Sequence, residues 1–361
     1  MSYYRHKDDM NKKEKSALFI GSTSLLQECM TVWMKVGFRI DAVISQDKDI
    51  ISFCQKRSLA YYSDINDFRE KTDYIFSIVN DKILPVSFIR QAICCAINYH
   101  AGPLPRYAGM NNWSWAILNN EDSYGATWHN IDDGIDTGDI IEQDLFKIDS
   151  YISSQDLLLK CAAEALNGFY RLVLSIRDDS ILFHPQDFSN RTFYQLTDII
   201  PHVGYIDFRQ TIDKIDALLR STQLDVNRFY SAMIYYDSRS FIVKEAQVKK
   251  DEHDYLCGTI ISVTGKLRVA CEDGFIIIHS LLDINNIHKL IVDGSIADCF
   301  LVNKKLHLPS NVLLECTKDF ISEFKQYESY WSKKINSFRG LGSEFGVILN
   351  KIRKKEVFNI E

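Results

Sequence analysis

The sequence predicts an α/β half built on a mostly parallel sheet, then a smaller half of short antiparallel strands, then a helix. Three patterns carry this reading. Strand-like and helix-like segments alternate from Ser16 to about residue 185, β-rich runs separated by glycine turns follow Gly204, and aromatic residues recur at helical spacing after Cys316. The implied divisions are a polar tail over 1–15, a first domain over 16–187, a connector over 188–203, a β domain over 204–315 and a helix with tail over 316–361.

Ser16 to Ile20 is a short apolar strand ending at Gly21, and Leu25 to Val36 reads as a helix that Gly37 closes. Ile40 to Ile44 is the next strand, Ile50 to Lys56 a helix, and Tyr74 to Val79 a strand. Pro85 to Cys95 reads as a helix, with Ala96, Ile97 and Asn98 ending the strand behind it. Such sheets bind ligands beyond the carboxyl ends of their strands. Ile20-Gly-Ser-Thr-Ser24 lacks the G-x-G-x-x-G fingerprint, so no nicotinamide dinucleotide is read there. Phe188 to Pro201 is polar and aperiodic, as a connector is. Ile212, Ile215, Leu218 and Leu219 make one helical face. Phe241 to Val243, Leu256 to Val263, Leu267 to Ala270 and Phe275 to Leu282 then read as strands, pointing to a small barrel of the oligonucleotide-binding type. Phe320, Phe324, Tyr327, Trp331, Ile335 and Phe338 stripe a last helix, which either packs on the body or docks a neighbouring domain.

With 46% apolar residues over 361 positions, there is ample material for cores. The net charge of −6 gives no general nucleic-acid footprint, and residues 196–315 carry 13 Lys/Arg against 16 Asp/Glu. No run approaches the ~18 apolar residues of a membrane span. The polar start, through Lys15, lacks the apolar centre of a secretory signal, so a cytoplasmic location is expected. The nine cysteines form no C-x-x-C pair, and most have apolar neighbours, as in Ala92 to Ile97. Reduced, buried thiols and no metal site are expected.

The chemistry concentrates between Ile97 and Gln143. Asn98 and His100 stand two apart at the end of an extended run, so period-two alternation turns both side chains to one face. Pro103, Pro105 and Gly109 then restrict a loop fit to wall a pocket. Asp132, Asp133, Asp136 and Asp139 crowd a short stretch with Gly134 and Gly138. The spacing misses a calcium loop and by itself equally fits solvated turns. Combined, an amide, an imidazole and a carboxylate with no obvious nucleophile suit direct acyl transfer between two bound partners.

Asn98-Tyr-His100 followed by Pro103-Leu-Pro105 and Gly109, then Ile135-Asp-Thr-Gly-Asp-Ile140, closely resembles the 10-formyltetrahydrofolate-dependent formyltransferases. That family's signature is asparagine-x-histidine, a leucine-proline loop and a downstream D-x-G. Cys257 to Val263 and Val269 to Gly274 resemble the strands of its C-terminal barrel. The resemblance covers roughly residues 16–310 and departs where Ala-Gly-Pro-Leu-Pro replaces the family's usual Ser-Leu-Leu-Pro. It implies a Rossmann-like catalytic domain, a formyl-folate co-substrate and no metal. It further implies that Asn98 donates to the formyl oxyanion, His100 assists as donor or base, and Asp136 holds His100. Lys82, Ile83 and Leu84 would meet the pterin mainly through backbone groups, with Leu104 in the same pocket. Asp132, Asp133, Gly134 and Ile135 would close its other side. His129 either stands behind the site or is a satisfied structural histidine.

The acceptor amine is the open choice. Ile20 to Gln27, Gly125 to His129 and Glu328-Ser-Tyr-Trp331 resemble formyltransferase-like domains of nonribosomal peptide and polyketide assembly lines. That implies natural-product biosynthesis, with an amino acid or carrier-protein-bound amine as acceptor and an adjacent biosynthetic enzyme near the C-terminal helix. The alternatives are a sugar-nucleotide amine, a methionyl-tRNA, which the acidic second half disfavours, and a scaffold without catalysis.

Overall fold

Ser16 to Ile20 of the first strand and Leu25, Leu26, Cys29, Met30 and Trp33 of the first helix are buried, so both elements turn apolar faces to the interior. The computed structural model describes residues 14–80, 82–223, 231–284, 290–292 and 295–326. In the first half, strands β1 (Ser16–Gly21), β2 (Arg39–Ile44), β3 (Tyr61–Tyr62), β4 (Thr72–Ile78), β5 (Ala92–His100), β7 (Ser123–Asn130) and β8 (Ile140–Lys147) form one sheet in the order β3-β2-β1-β4-β5-β7-β8. The first five are mutually parallel, while β7 runs antiparallel to β5 and to β8. Two-residue β6 (Ala108–Gly109) lies apart and pairs with β9 (Phe193–Tyr194). The helices are α1 (Thr23–Lys35), α2 (Lys48–Lys56), α3 (Val86–Ile89), α4 (Asn112–Leu118) and α5 (Ser154–Arg177).

Alternation splits the sheet's side chains between two cores. Ala17 and Phe19 join Trp33, Phe76 and Phe169 on one face, whereas Leu18 and Ile20 join Ala42, Ile75 and Phe88 on the other. A central strand covered on both faces reads as a continuous apolar run, which is why Ser16 to Ile20 was legible. Each such buried Leu or Phe contributes ~1.5–3 kcal/mol. Helix starts follow local chemistry: the Asp47 carboxylate accepts from the Asp49 and Ile50 amides, and the Ser153 hydroxyl accepts from the Asp156 amide.

One expected element is corrected. Pro85 to Cys95 is not a single helix: α3 stops after four residues, and Ala92 already pairs with Thr72 in β5. Ala92, Cys95, Ala96 and Ile97 fill a parallel ladder beside β4, and that tertiary pairing overrides a weak helical pattern. A consequence is that Cys94 is exposed, unlike the buried Cys29, Cys54, Cys161 and Cys271. All nine cysteines are free, and burial pushes the Cys161 thiol up to about 12.

The second half contains α6 (Ile212–Ser221) and strands β10 (Met233–Tyr236), β11 (Arg239–Lys250), β12 (Ile260–Ser262), β13 (Leu267–Ala270), β14 (Gly274–Asp283) and β15 (Leu290–Val292). These strands form one antiparallel sheet, β10-β11-β14-β13-β12, with β15 on β14. Its core gathers Ile212, Ile215, Phe241, Val269, Ile276 and Ile278. Contacts divide the chain into a larger unit, residues up to 195 with 204–308, and a smaller one, 196–203 with 309 onwards. The smaller unit carries α7 (Asn311–Gln326). Of the aromatic stripe expected there, Tyr327, Trp331, Ile335 and Phe338 lie outside the described residues, as do the side chains of Phe320 and Phe324. No helix among the described residues is long and apolar enough to cross a membrane.

Candidate active site

The register of β5 on β7 assembles the site. Ile97 and Tyr99 face the core shared with Trp128, so Asn98 and His100 face the opposite side. Asn98 stands directly across from His129, and His100 across from Thr127. Past β7 the chain doubles back, with the Ile131 amide bonded to the Ala96 carbonyl and the Asn130 amide to the Asp139 carbonyl. That return brings the Asp136 side chain against His100 and His129. It needs Gly138, because a Cβ there would sit 1.9 Å from the Asn130 carbonyl oxygen.

Asp136 lies between two imidazoles. Its Oδ2 is 3.4 Å from His100 Nδ1 and its Oδ1 is 3.5 Å from His129 Nε2. Oδ2 also accepts from the Gly109 amide at 2.8 Å. Burial pushes this carboxyl up, but the His100 ring, the His129 contact and the Gly109 N–H outweigh it. They hold Asp136 well below the usual carboxylate range. His100 is 6% exposed, and its Nε2 lies 2.8 Å from the Tyr107 carbonyl, which can only accept. Nε2 also lies 2.9 Å from Asn112 Nδ2, and Nδ1 is the nitrogen turned to Asp136. Asn112 Nδ2 donates to the same Tyr107 carbonyl at 2.8 Å. Burial lowers the His100 pKa, with Asp136 opposing and the charges of His129 and Arg191 adding to the fall.

His129 is 3% exposed, with Nδ1 2.8 Å from the Asn130 carbonyl. Its Nε2 lies 3.2 Å from the Asn98 amide nitrogen and 3.5 Å from Asp136 Oδ1. His129 is consequently part of the cluster, placed there by the register of β7 on β5.

The remaining expected site residues differ in exposure. Lys82 and Ile83 are exposed, Ile83 to 81%, while Leu84 is buried. Asn80 braces this turn by donating to the Lys82 carbonyl at 2.9 Å and accepting from its amide at 3.2 Å. Asp132 accepts from the Gly134 amide and the Thr137 hydroxyl, and Asp133, Gly134 and Ile135 are exposed. Leu104 is buried, and its carbonyl accepts from Gln143 at 2.8 Å. Among the described residues no three His, Cys, Asp or Glu side chains cluster as a metal site would require.

Residues 55–173 match the family described as formyl transferase, and residues 198–287 match the formyl transferase C-terminal domain. The chain belongs to the formyltransferase family. Members similar to it include the methionyl-tRNA formyltransferase of Agathobacter rectalis, 27% identical over 53% of this chain and 60% of that protein. The methionyl-tRNA formyltransferase of Clostridium tetani is 25% identical over 66% of this chain and 71% of its own length. The chain thus spans well under the full length of these family members. Among solved structures, the N-formyltransferase from Helicobacter canadensis, in complex with folinic acid and dTDP-3-aminofucose, aligns with a TM-score of 0.61 at 20% identity. That alignment covers 74% of this chain and 98% of the other. The sugar 3N-formyltransferase WlaRD aligns at 0.62 with 21% identity, over 76% and 100%. These structures share the fold of the family.

Proposed function

We propose that this chain is an N-formyltransferase, moving the formyl group of 10-formyltetrahydrofolate to the amine of a small or carrier-bound acceptor. The observation that carries this reading is the Asp136 carboxylate set between His100 and His129 beside the Asn98 amide. The acceptor nitrogen attacks the formyl carbon, and the carbonyl oxygen becomes an oxyanion. The Asn98 amide donates to that oxyanion. The proton leaving the amine goes to the His100 ring, and Asp136 stabilises the imidazolium. Burial lowers the His100 pKa and so favours the uncharged ring, which can accept a proton. Collapse of the intermediate breaks the bond from carbon to folate N10, and the proton passes to N10. The products are the formylated amine and tetrahydrofolate, with no metal in the step. Exposed Ile83 and Ile135 supply apolar surface for the flat pterin, in the loops that carry Lys82 and Asp132.

Surface charge supports a small or carrier-bound acceptor, in natural-product biosynthesis, over a transfer RNA. In the barrel half, Arg209, Arg220, Arg239, Lys249, Lys250 and Arg268 each lie beside a carboxylate. Such pairs leave little charge to displace counterions from a phosphate backbone. The test is incubation with 10-formyltetrahydrofolate and a panel of free amino acids, carrier-bound aminoacyl thioesters, nucleotide-linked amino sugars and methionyl-tRNA. Mass spectrometry should find formyl gain on an amino acid or carrier-bound amine. Gain on the sugar amine or the tRNA alone would reassign the acceptor, and no gain on any would mark a scaffold. A gel shift with initiator tRNA at physiological salt should show weak, sequence-indifferent binding, whereas tight binding with a steep salt slope would reverse the choice.

A further inference from the structure

We infer that residues 184–194 are a clasp that positions Asp136 against His100, with Gln186 and Arg191 as its two fastening side chains. The inference rests on the formyl-transfer reading for its chemistry and on separate contacts for its geometry. Asp136 adopts a left-handed backbone, φ 53°, which a residue with a Cβ holds only under constraint. Four side-chain donations fix that backbone. Gln186 Nε2 donates to the Asp136 carbonyl at 3.0 Å and the Gly138 carbonyl at 2.7 Å. Arg191 donates to the Asp136 carbonyl at 3.2 Å and the Ile135 carbonyl at 2.8 Å. Arg191 is itself held between the rings of Phe188 and Phe193, at 5.8 and 5.4 Å.

The same segment fastens the other side of the site. Thr192 accepts from the Ala108 amide through its carbonyl and from the Tyr107 amide through its hydroxyl, and the Tyr194 carbonyl accepts from Met110. That stretch supplies the Tyr107 carbonyl to His100 and the Gly109 amide to Asp136. A Cβ on Gly109 would sit 2.0 Å from the Tyr194 carbonyl oxygen, so the approach is close. At its start the segment exchanges both backbone hydrogen bonds between His184 and Ile140. One strip of chain therefore holds the partners of both His100 nitrogens. Gln186 and Arg191 touch only backbone around Asp136, which makes them positioning residues.

Gln186→Leu removes two donations without changing charge, and Arg191→Lys keeps charge but loses the two-pronged grip. In each, histidine-detected NMR titration of the full chain should show the His100 pKa lower than in the parent, because Asp136 has withdrawn and it alone among the neighbouring charges raises that value. Turnover should fall with the folate KM unchanged, and the Gln186→Glu variant should not restore it. A lower Tm with an unmoved His100 titration would overturn the clasp and leave a merely structural strap. If the parent transfers no formyl group to any amine yet the variants still move the His100 titration, the clasp stands and the formyl-transfer reading fails.

Discussion

Asp136 in the α/β half and Asp283 in the barrel half are both largely shielded carboxylates, and their partners differ. Asp283 ends β14 and bonds to the guanidinium of Arg239, which also stacks over Phe241 at 4.9 Å. Asp136, 13% exposed at the side chain, sits between two imidazoles and a backbone amide. Arginine stays charged at every working pH, so the first pair is fixed and can only hold the strands together. Histidine titrates near neutrality, so the second arrangement can take up and release a proton. The same side chain makes structure in one half and proton chemistry in the other, according to the partner the fold brings to it.

The sharpest way to break this comparison is at the titrating pair. His100→Ala should lower turnover ~100–10,000-fold, the usual worth of general base assistance, while folate binding measured by calorimetry persists. Asn98→Ala should cost ~100–1000-fold by removing one oxyanion donor. Undiminished transfer by folded, folate-binding variants would place the chemistry elsewhere. Asp136→Asn retains shape and loses charge; combined with His100→Ala it should cost far less than the product of the single losses if the residues act as a unit.

On the barrel side, Asp283→Asn should leave turnover per folded molecule unchanged. It should lower stability by ~1–3 kcal/mol in denaturant melts, because Arg239 loses its charged acceptor. A turnover loss there would erase the distinction between the halves.

The smallest effect is in pH. His100 is held below its ordinary pKa of ~6.5, so its unfolded form binds more protons than its folded form once pH drops below that value. Its contribution to stability is then present above pH ~6.5 and lost as pH falls towards the folded pKa. Asp136, also lowered, contributes above the ordinary carboxylate pKa of ~3.9 and loses that contribution at more acid pH. The kcat/KM profile should show its acid limb below pH ~6.5, and His100→Ala should remove the same inflection from the stability profile.

How much of this was legible follows from the range of each interaction. Period-two alternation is a local property, and it put Asn98 and His100 on one face. Apolar runs such as Ser16 to Ile20 and the turn residues Gly265 and Glu272 to Gly274 likewise marked strands and their ends. Ala92 to Cys95 misled, because a short apolar run reads equally as strand or helix and only the pairing with β4 separates them. Gln186 and Arg191 had no local signal at all, the first at the end of the expected first domain and the second in the polar stretch that reads as connector. They act on carbonyls 48 to 56 positions away. The sequence by itself determined which residues can carry an amide, an imidazole and a carboxylate, and the alternation that exposes them together. Only the tertiary structure decided that Asp136 meets two histidines, which nitrogen of His100 faces it, and which distant strip of chain holds it there. Those choices depend on backbone carbonyls, and carbonyls are common to every residue and leave no mark in a sequence.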